Sequence, residues 1–439
     1  MNRRMGLVLV SLLACGASSA EPATLEKVAL EGDPAPDPGF FYHRKFLRPA
    51  VSDAAGQHVV ASVRLTPAAS RQCLVKFDPG PGPDGLVACR KDTSPDGRQF
   101  LKLGDPSINL AGNVAWAATV GVGLSGVYRG SPSTVVALTG DPSPAGPGFL
   151  KTFSSALITD VGDVVFEAGI SGGAVVLGVT VDHGYFRCMG GDGNCSGGGT
   201  GTIQTLVLRN DPVPDRPGRK LCKLQTFSAS LYGIAFQAST QMDCASTTEG
   251  PLSGIFRKPF VGTVTTVALQ GEASEPNPAP GGTIYGNVTG TPAINDSGLV
   301  AFRGQTTGLV GNDILYLCDP ASCPTVPAEA AVKQGDPDGN GSFFERFSSP
   351  ALSDAADIAF QAKVNEGLRA SGIYIRRAAG GTIDTVARTN DVAPGVSPTA
   401  QFSLFVAPSM SPGGKVAFRV RLRPLGGPHT PHEGIFLFE

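Results

Sequence analysis

The stretch SFFERFSSPALSDAADIAFQAKV at residues 342–364, with ASGIYIRR at 370–377 and GTIDTVARTND at 381–391, decides the fold. Apolar and polar side chains alternate in IAFQAKV, and β-branched and aromatic residues take the apolar positions. A period of two buries one face of an extended chain, and the 3.6-residue period of a helix is absent. Ser353-Asp354-Ala355 and similar groups stand between the stretches, and their short polar side chains bond to nearby backbone and favour turns. The segment reads as four strands joined by tight turns.

Outward from this stretch the same series recurs along the chain. Its most regular column is the aromatic closing the second strand: Trp116, Phe166, Phe236, Phe302, Phe360 and Phe418, with Val60 or Ala61 in a degenerate first copy. Seven copies result, with a period of about 60 residues, the size of one supersecondary unit. A third strand follows on Gly126-Val127-Tyr128, Gly254-Ile255-Phe256, Gly372-Ile373-Tyr374 and Gly434-Ile435-Phe436. A four-stranded sheet of this size cannot bury its two faces alone, so units must stack on one another. The expected fold is all-β, a seven-bladed β-propeller with four-stranded blades. Lys27-Val28-Ala29-Leu30 reads as a lone fourth strand, and the last unit stops after its third strand at Phe438. The N-terminal strand is therefore expected to join the last blade and close the ring.

The phrase PALSDAADIAF resembles the WD40-like repeats of TolB-type propellers. NDSGLVAF at 295–302 and NLAGNVAW at 109–116 are similar to the tandem repeats of bacterial exported NxxGxxAF-containing proteins, a family of undefined function. Ser353 and Ala356 depart from that pattern in their copy. The resemblance covers nearly the whole mature chain and implies the fold, but no substrate.

Composition agrees with many short strands and turns: 58 Gly and 36 Pro accompany a hydrophobic share of 41%, too apolar for a disordered chain. With 35 basic and 37 acidic residues the net charge is −2, and no basic cluster tracks a phosphate backbone, which argues against nucleic acid. Arg3 and Arg4 precede an apolar run from Met5 to Ala14 and small residues up to Ala20, the layout of a signal peptide over residues 1–20. Residues 21–439 then form the propeller. Ordinary cleavage before Glu21 competes with a lipobox-like Leu12-Leu13-Ala14-Cys15-Gly16, in which Cys15 would be acylated. The destination is the bacterial periplasm or exterior, or the outer membrane through a lipid on Cys15. No later segment approaches about 20 continuous apolar residues, so no transmembrane span is expected, and the chain is read as a monomer. Eight further cysteines pair locally in chain order as Cys73 with Cys89, Cys188 with Cys195, Cys222 with Cys244 and Cys318 with Cys323.

Candidate site residues are few. An acidic column follows the fourth strand in every copy: Asp33, Asp92, Asp141, Asp211, Glu272, Asp336 and Asp391. Such a ring at a pore mouth would attract cations or a basic partner, while each acid alone would accept hydrogen bonds within its own turn. Asp336, Asp338 and Asn340 imitate the start of a calcium loop, but Phe347 stands where the closing Glu belongs, so Ca2+ is the sole cofactor considered and its site would be weak. His429, His432 and Glu433 lie in a proline-broken loop unsuited to metal, and no serine elbow or free nucleophilic cysteine points to catalysis. The expected function is a binding or scaffold module for a protein or glycan at the cell envelope, and the alternative is a hydrolase or lyase at the central pore.

Overall fold

The computed structural model describes residues 23–439 except 44, 54–58, 67–70, 79–83, 131, 174, 177–178, 181, 190–193, 197–199, 215, 247, 272–283, 308–312, 322–327, 368–369, 398 and 426–431. The signal-like segment 1–20 with Cys15, and the expected site or disulfide residues Glu272, Cys323 and His429, lie outside the described residues. Every regular element among the described residues is a strand, and none is a helix that could cross a membrane.

Seven antiparallel sheets stand around a central channel as the blades of a propeller, with one further two-stranded sheet in the third blade. We letter the strands of each blade a to d from the channel outward. The b strands of blades 1 to 7 are Val59–Thr66, Val114–Gly121, Val164–Ser171, Gly233–Gln241, Val300–Thr306, Ile358–Val364 and Val416–Pro424. Blade 5 shows the full order: Tyr285–Ile294, Val300–Thr306, Asp313–Cys318 and Glu329–Lys333. Leu25–Leu30 pairs antiparallel with Glu433–Phe438, Leu25 opposite Phe438 and Leu30 opposite Gly434, and so supplies the d strand of blade 7.

Proline accompanies the break of the inner strand in four blades, whereas the a strand of blade 5, Tyr285–Ile294, runs unbroken through Pro292. In blades 1, 2, 6 and 7 the a strand is broken into two pieces, and Pro49, Pro106, Pro350 and Pro408 each stand immediately before the second piece. Proline cannot donate to a ladder and belongs at strand edges and interruptions. Blades 3 and 4 have no proline within their a strands Phe149–Ile158 and Lys220–Ala229, which run unbroken with shifts of register.

The repeating aromatic column is the centre of the packing. Phe302 lies directly across from Tyr316 with ring centroids 5.2 Å apart, and Phe360 faces Tyr374 at 5.8 Å. The same stacked b–c pair recurs as Trp116 with Tyr128, Phe166 with Phe186, Phe236 with Phe256 and Phe418 with Phe436. In blade 1 the equivalent pair is Ala61 opposite Val75, so Ala61 and not Val60 holds the degenerate position. Tyr42, Phe46 and Phe77 occupy that space instead. The glycine of the third strand makes room for the ring beside it: a Cβ on Gly372 would lie 2.7 Å from the Ala387 carbonyl oxygen and 2.9 Å from the Tyr374 ring.

Each apolar cluster straddles two blades. Ala235, Ile255 and Val267 of blade 4, for example, pack with Val288, Phe302 and Tyr316 of blade 5. Three disulfides form as expected, Cys73–Cys89, Cys188–Cys195 and Cys222–Cys244. Because Ala29 is buried between the last and first blades and Leu30 between the sixth and last, a chain starting at residue 31 would bare Ile435, Leu437 and an open strand edge. Such a chain should melt lower by on the order of 10 °C and self-associate in size-exclusion chromatography. An unchanged melting curve would show that strand pairing at the ends does not hold the ring.

Candidate functional site

Antiparallel strands put the a–b and c–d turns at one end of the ring and the b–c and d–a connections at the other. The acidic column lies in the d–a connections. Asp33, Asp92, Asp141, Asp211, Asp336 and Asp391 each accept a hydrogen bond from the backbone N–H three residues earlier, at 2.7–3.0 Å. Gly or Asn with positive φ precedes five of them, Gly32, Gly140, Asn210, Gly335 and Asn390, which lets the chain reverse there. None of the six lines the channel or the cleft described below. In the calcium-like loop, Asp338 is wholly buried. It accepts the Asn340 and Ser342 N–H groups and the Tyr374 hydroxyl, with Arg388 Nη2 at 3.2 Å.

At the a–b end, a second set of carboxylates meets. Asp53, Asp160, Asp296 and Asp354 each hang from the turn of their own blade and accept an N–H from a neighbour. The donors are Gly413, Leu110, Leu231 and Asp296. One position earlier, Asn109 Nδ2 reaches the Thr159 carbonyl at 3.0 Å, Ser230 Oγ the Asn295 carbonyl at 2.9 Å, and Asn295 Nδ2 the Ser353 carbonyl at 3.1 Å. At these three positions the first residue of the a–b turn ties one blade to the next. Burial, then the facing Asp354 and Asp53, push the Asp160 carboxyl up, and burial with Asp354 and Asp160 does the same to Asp296. Farther in, the channel is about 430 Å3, lined by all seven a strands. Arg48 enters it and donates to the Pro408 carbonyl at 2.5 Å, its guanidinium pushed down by burial and held up by Asp105.

Another concavity lies away from the axis. A cleft of about 650 Å3 opens between blades 3 and 4 at the d–a end, lined by Lys151, Thr152, Glu167, Asp182, His183, Arg209 and Lys223 among others. Lys151 and Thr152 come from strand a of blade 3, Glu167 from strand b, His183 from the start of strand c, and Lys223 from strand a of blade 4. His183 Nε2 lies 2.7 Å from Glu167 Oε1, and Arg209 Nη1 lies 2.8 Å from Asp182 Oδ2. Thr152 sits against Gly169, where an added Cβ would come within 2.5 Å of its Oγ1.

Comparison among blades explains the opening. The positions of Glu167 and His183 carry Arg303 and Asp313 in blade 5 and Arg419 and Glu433 in blade 7. Those acids bond back to strand b at 2.7 Å and 2.9 Å, and each also accepts an N–H from the next blade, Phe347 N and Lys45 N, both at 3.0 Å. In blade 3 the acid and base have exchanged strands. Among the described residues no hydrogen bond joins the His183 side chain to blade 4, and the cleft lies where that tie would run.

Sequence reading found the acidic column and missed both the a–b carboxylates and this cleft. The available signal was Arg216, Arg219, Lys220 and Lys223, four basic residues in RPGRKLCK at the entry to blade 4.

The chain is thus a closed seven-bladed β-propeller with an inter-blade cleft. A family model of unknown function, DUF7453, matches residues 81–195 and 313–438, more than half of the chain, and the chain belongs to that family. No curated protein matches it. Among solved structures, the β-propeller domain of the Trilobed protease from Pyrococcus furiosus, described as having an open velcro topology, is similar at 9% identity and TM-score 0.51, over 90% of this chain and 95% of that one. An oligogalacturonate lyase in complex with manganese is 11% identical at TM-score 0.47, over 95% of this chain and 96% of that one. These likenesses extend to the fold alone.

The raised carboxyls give a pH test. A carboxyl whose folded pKa exceeds its unfolded one binds more protons when folded, so stability falls as pH rises from the ordinary aspartate range through the raised value. Asp160→Asn and Asp296→Asn keep an oxygen to accept the Leu110 and Leu231 N–H groups. The double variant should melt no lower than wild type at neutral pH, and its advantage should vanish in acid below the aspartate range. Clear destabilisation at neutral pH alone would mean that the charges help to hold the turns.

Proposed function

We propose that this chain is an exported propeller of the bacterial envelope, periplasmic or extracellular, that binds a protein or glycan in the cleft between blades 3 and 4. The cleft carries the reading. Six ionisable side chains converge there, two of which, Glu167 and His183, break the repeat, while the acids that follow the repeat are engaged in turns. Three disulfides suit an oxidising compartment, as the signal-like N-terminus requires. The similarity of Asn295–Phe302 and Asn109–Trp116 to exported NxxGxxAF repeats agrees. The propeller holds two rigid walls at fixed separation, which lowers the ordering cost of binding.

One observation favours a second reading, a hydrolase or lyase. The His183–Glu167 contact at 2.7 Å is the arrangement by which a carboxylate orients a general base. Thr152 is exposed, so Thr152→Trp would fill the cleft without entering the core. Mature wild type, immobilised, should retain an envelope component that the Thr152→Trp protein does not, and release it unaltered. Equal retention by both proteins would remove the cleft from the function. Chemical conversion of the retained component, lost in His183→Ala, would replace binding with catalysis.

A further inference from the structure

Lys151 and Lys223 are the unpaired charges of the cleft. Arg209 is matched by Asp182 and His183 bonds to Glu167, whereas among the described residues neither lysine has an ion-pair partner. Both are exposed, on a strands of adjacent blades, so they face the same space from opposite walls. Two cations held in one frame without ion-pair partners attract an anion into the space between them.

Aromatic surface lies beside them. Phe149 is 53% exposed and precedes Lys151 by two residues on one strand, which puts both side chains on one face of blade 3. Phe149 stands outside the residues that line the cleft, about 7 Å along the strand from Lys151, so a phenyl ring at the rim and an ammonium within offer an apolar platform and a charge, the complement of a pyranose ring bearing an acidic group.

An acidic peptide is the competing occupant, and the walls disfavour it. An extended peptide gains affinity by adding to an open strand edge. Here Phe149 and Leu150 are already paired with Ser171 and Ile170, and Lys223 with Ser239. The cleft presents sheet faces and side chains, which suits a ligand recognised by its ring and its charge.

We infer that the cleft binds a carboxylated or sulfated glycan, its anionic group held between Lys151 and Lys223 and a sugar ring laid on Phe149. This rests on the binding reading above and names its ligand class. The shared chemistry is an acid-bearing pyranose, and carboxylate and sulfate are separated by the probes.

The test uses the mature protein with polygalacturonate, chondroitin sulfate, a neutral galactan and polyglutamate, by calorimetry and affinity electrophoresis. Wild type should bind at least one of the two acidic glycans, more weakly as salt rises, and neither the galactan nor polyglutamate. Lys151→Met and Lys223→Met should each weaken binding about tenfold, the loss expected for one charge-assisted contact. Lys333→Met, on the outer strand of blade 5, should match wild type, and all variants should keep its melting temperature. Phe149→Ala should weaken glycan binding several-fold. Binding to the galactan as tightly as to the acidic glycans would overturn the inference. So would polyglutamate binding that depends on the lysines and ignores Phe149→Ala, which would assign an acidic peptide. If neither acidic glycan binds, or the lysine variants bind like wild type, the ligand class is wrong. Thr152→Trp then separates the two readings: retention lost in that protein leaves the binding function standing, and retention kept there removes both.

Discussion

A blade of this protein is apolar on both faces, and everything else follows from the need to cover them. The stacked b–c rings, such as Phe302 on Tyr316 and Phe418 on Phe436, fill the spaces between adjacent sheets. Each fully buried aromatic or aliphatic side chain contributes roughly 1.5–3 kcal/mol when removed from water. A linear stack would leave two such faces exposed at its ends. Pairing Leu25–Leu30 with Glu433–Phe438 removes both ends at once, because the seventh blade becomes complete and its far face packs against the first. The unit repeats because the constraint repeats.

How much of this was legible depends on whether a residue serves the repeat. The aromatic column, the Gly of the third strand and the lone N-terminal strand all do, and each occupies the place its pattern implies. Ala61 was ambiguous because blade 1 fills its centre with Tyr42, Phe46 and Phe77, drawn from positions outside the column. The acidic column was visible as a pattern, but a pattern does not say where a carboxylate points. Asp141 and Asp336 turn back on Leu138 N and Lys333 N. The a–b carboxylates Asp53, Asp160, Asp296 and Asp354 looked like ordinary turn residues, since their common feature is a bond to another blade.

The cleft was hidden for the opposite reason. Its residues occupy columns that vary from copy to copy, and variation in one sequence reads as noise. Only the fold shows that Glu167 and His183 stand where Arg303 with Asp313, and Arg419 with Glu433, bind blade to blade. Exchanging acid and base between strands b and c alters the local tie, and a space opens beside it. A repeat protein can carry such a change in one blade because the other inter-blade contacts still hold the ring. The proposed site thus lies where the repeat is locally relaxed and globally supported.

The two ends of the ring hold their charges differently: the d–a end keeps its column of acids bonded within turns, while its cleft holds two lysines without ion-pair partners among the described residues. At the a–b end, Asp160, Asp296 and Asp354 line a space of about 190 Å3, strapped by neighbouring N–H groups. At the other end, Lys151 and Lys223 stand unpaired in a cavity more than three times as large. An anion approaching the first end meets carboxylates, two of which, Asp160 and Asp296, are pushed up by burial and then by their acidic neighbours, and it gains nothing there. An anion approaching the second finds cations that lack partners. The a–b turns that clamp the blades therefore gather carboxylates near the axis at one end, and the proposed anion site lies at the other.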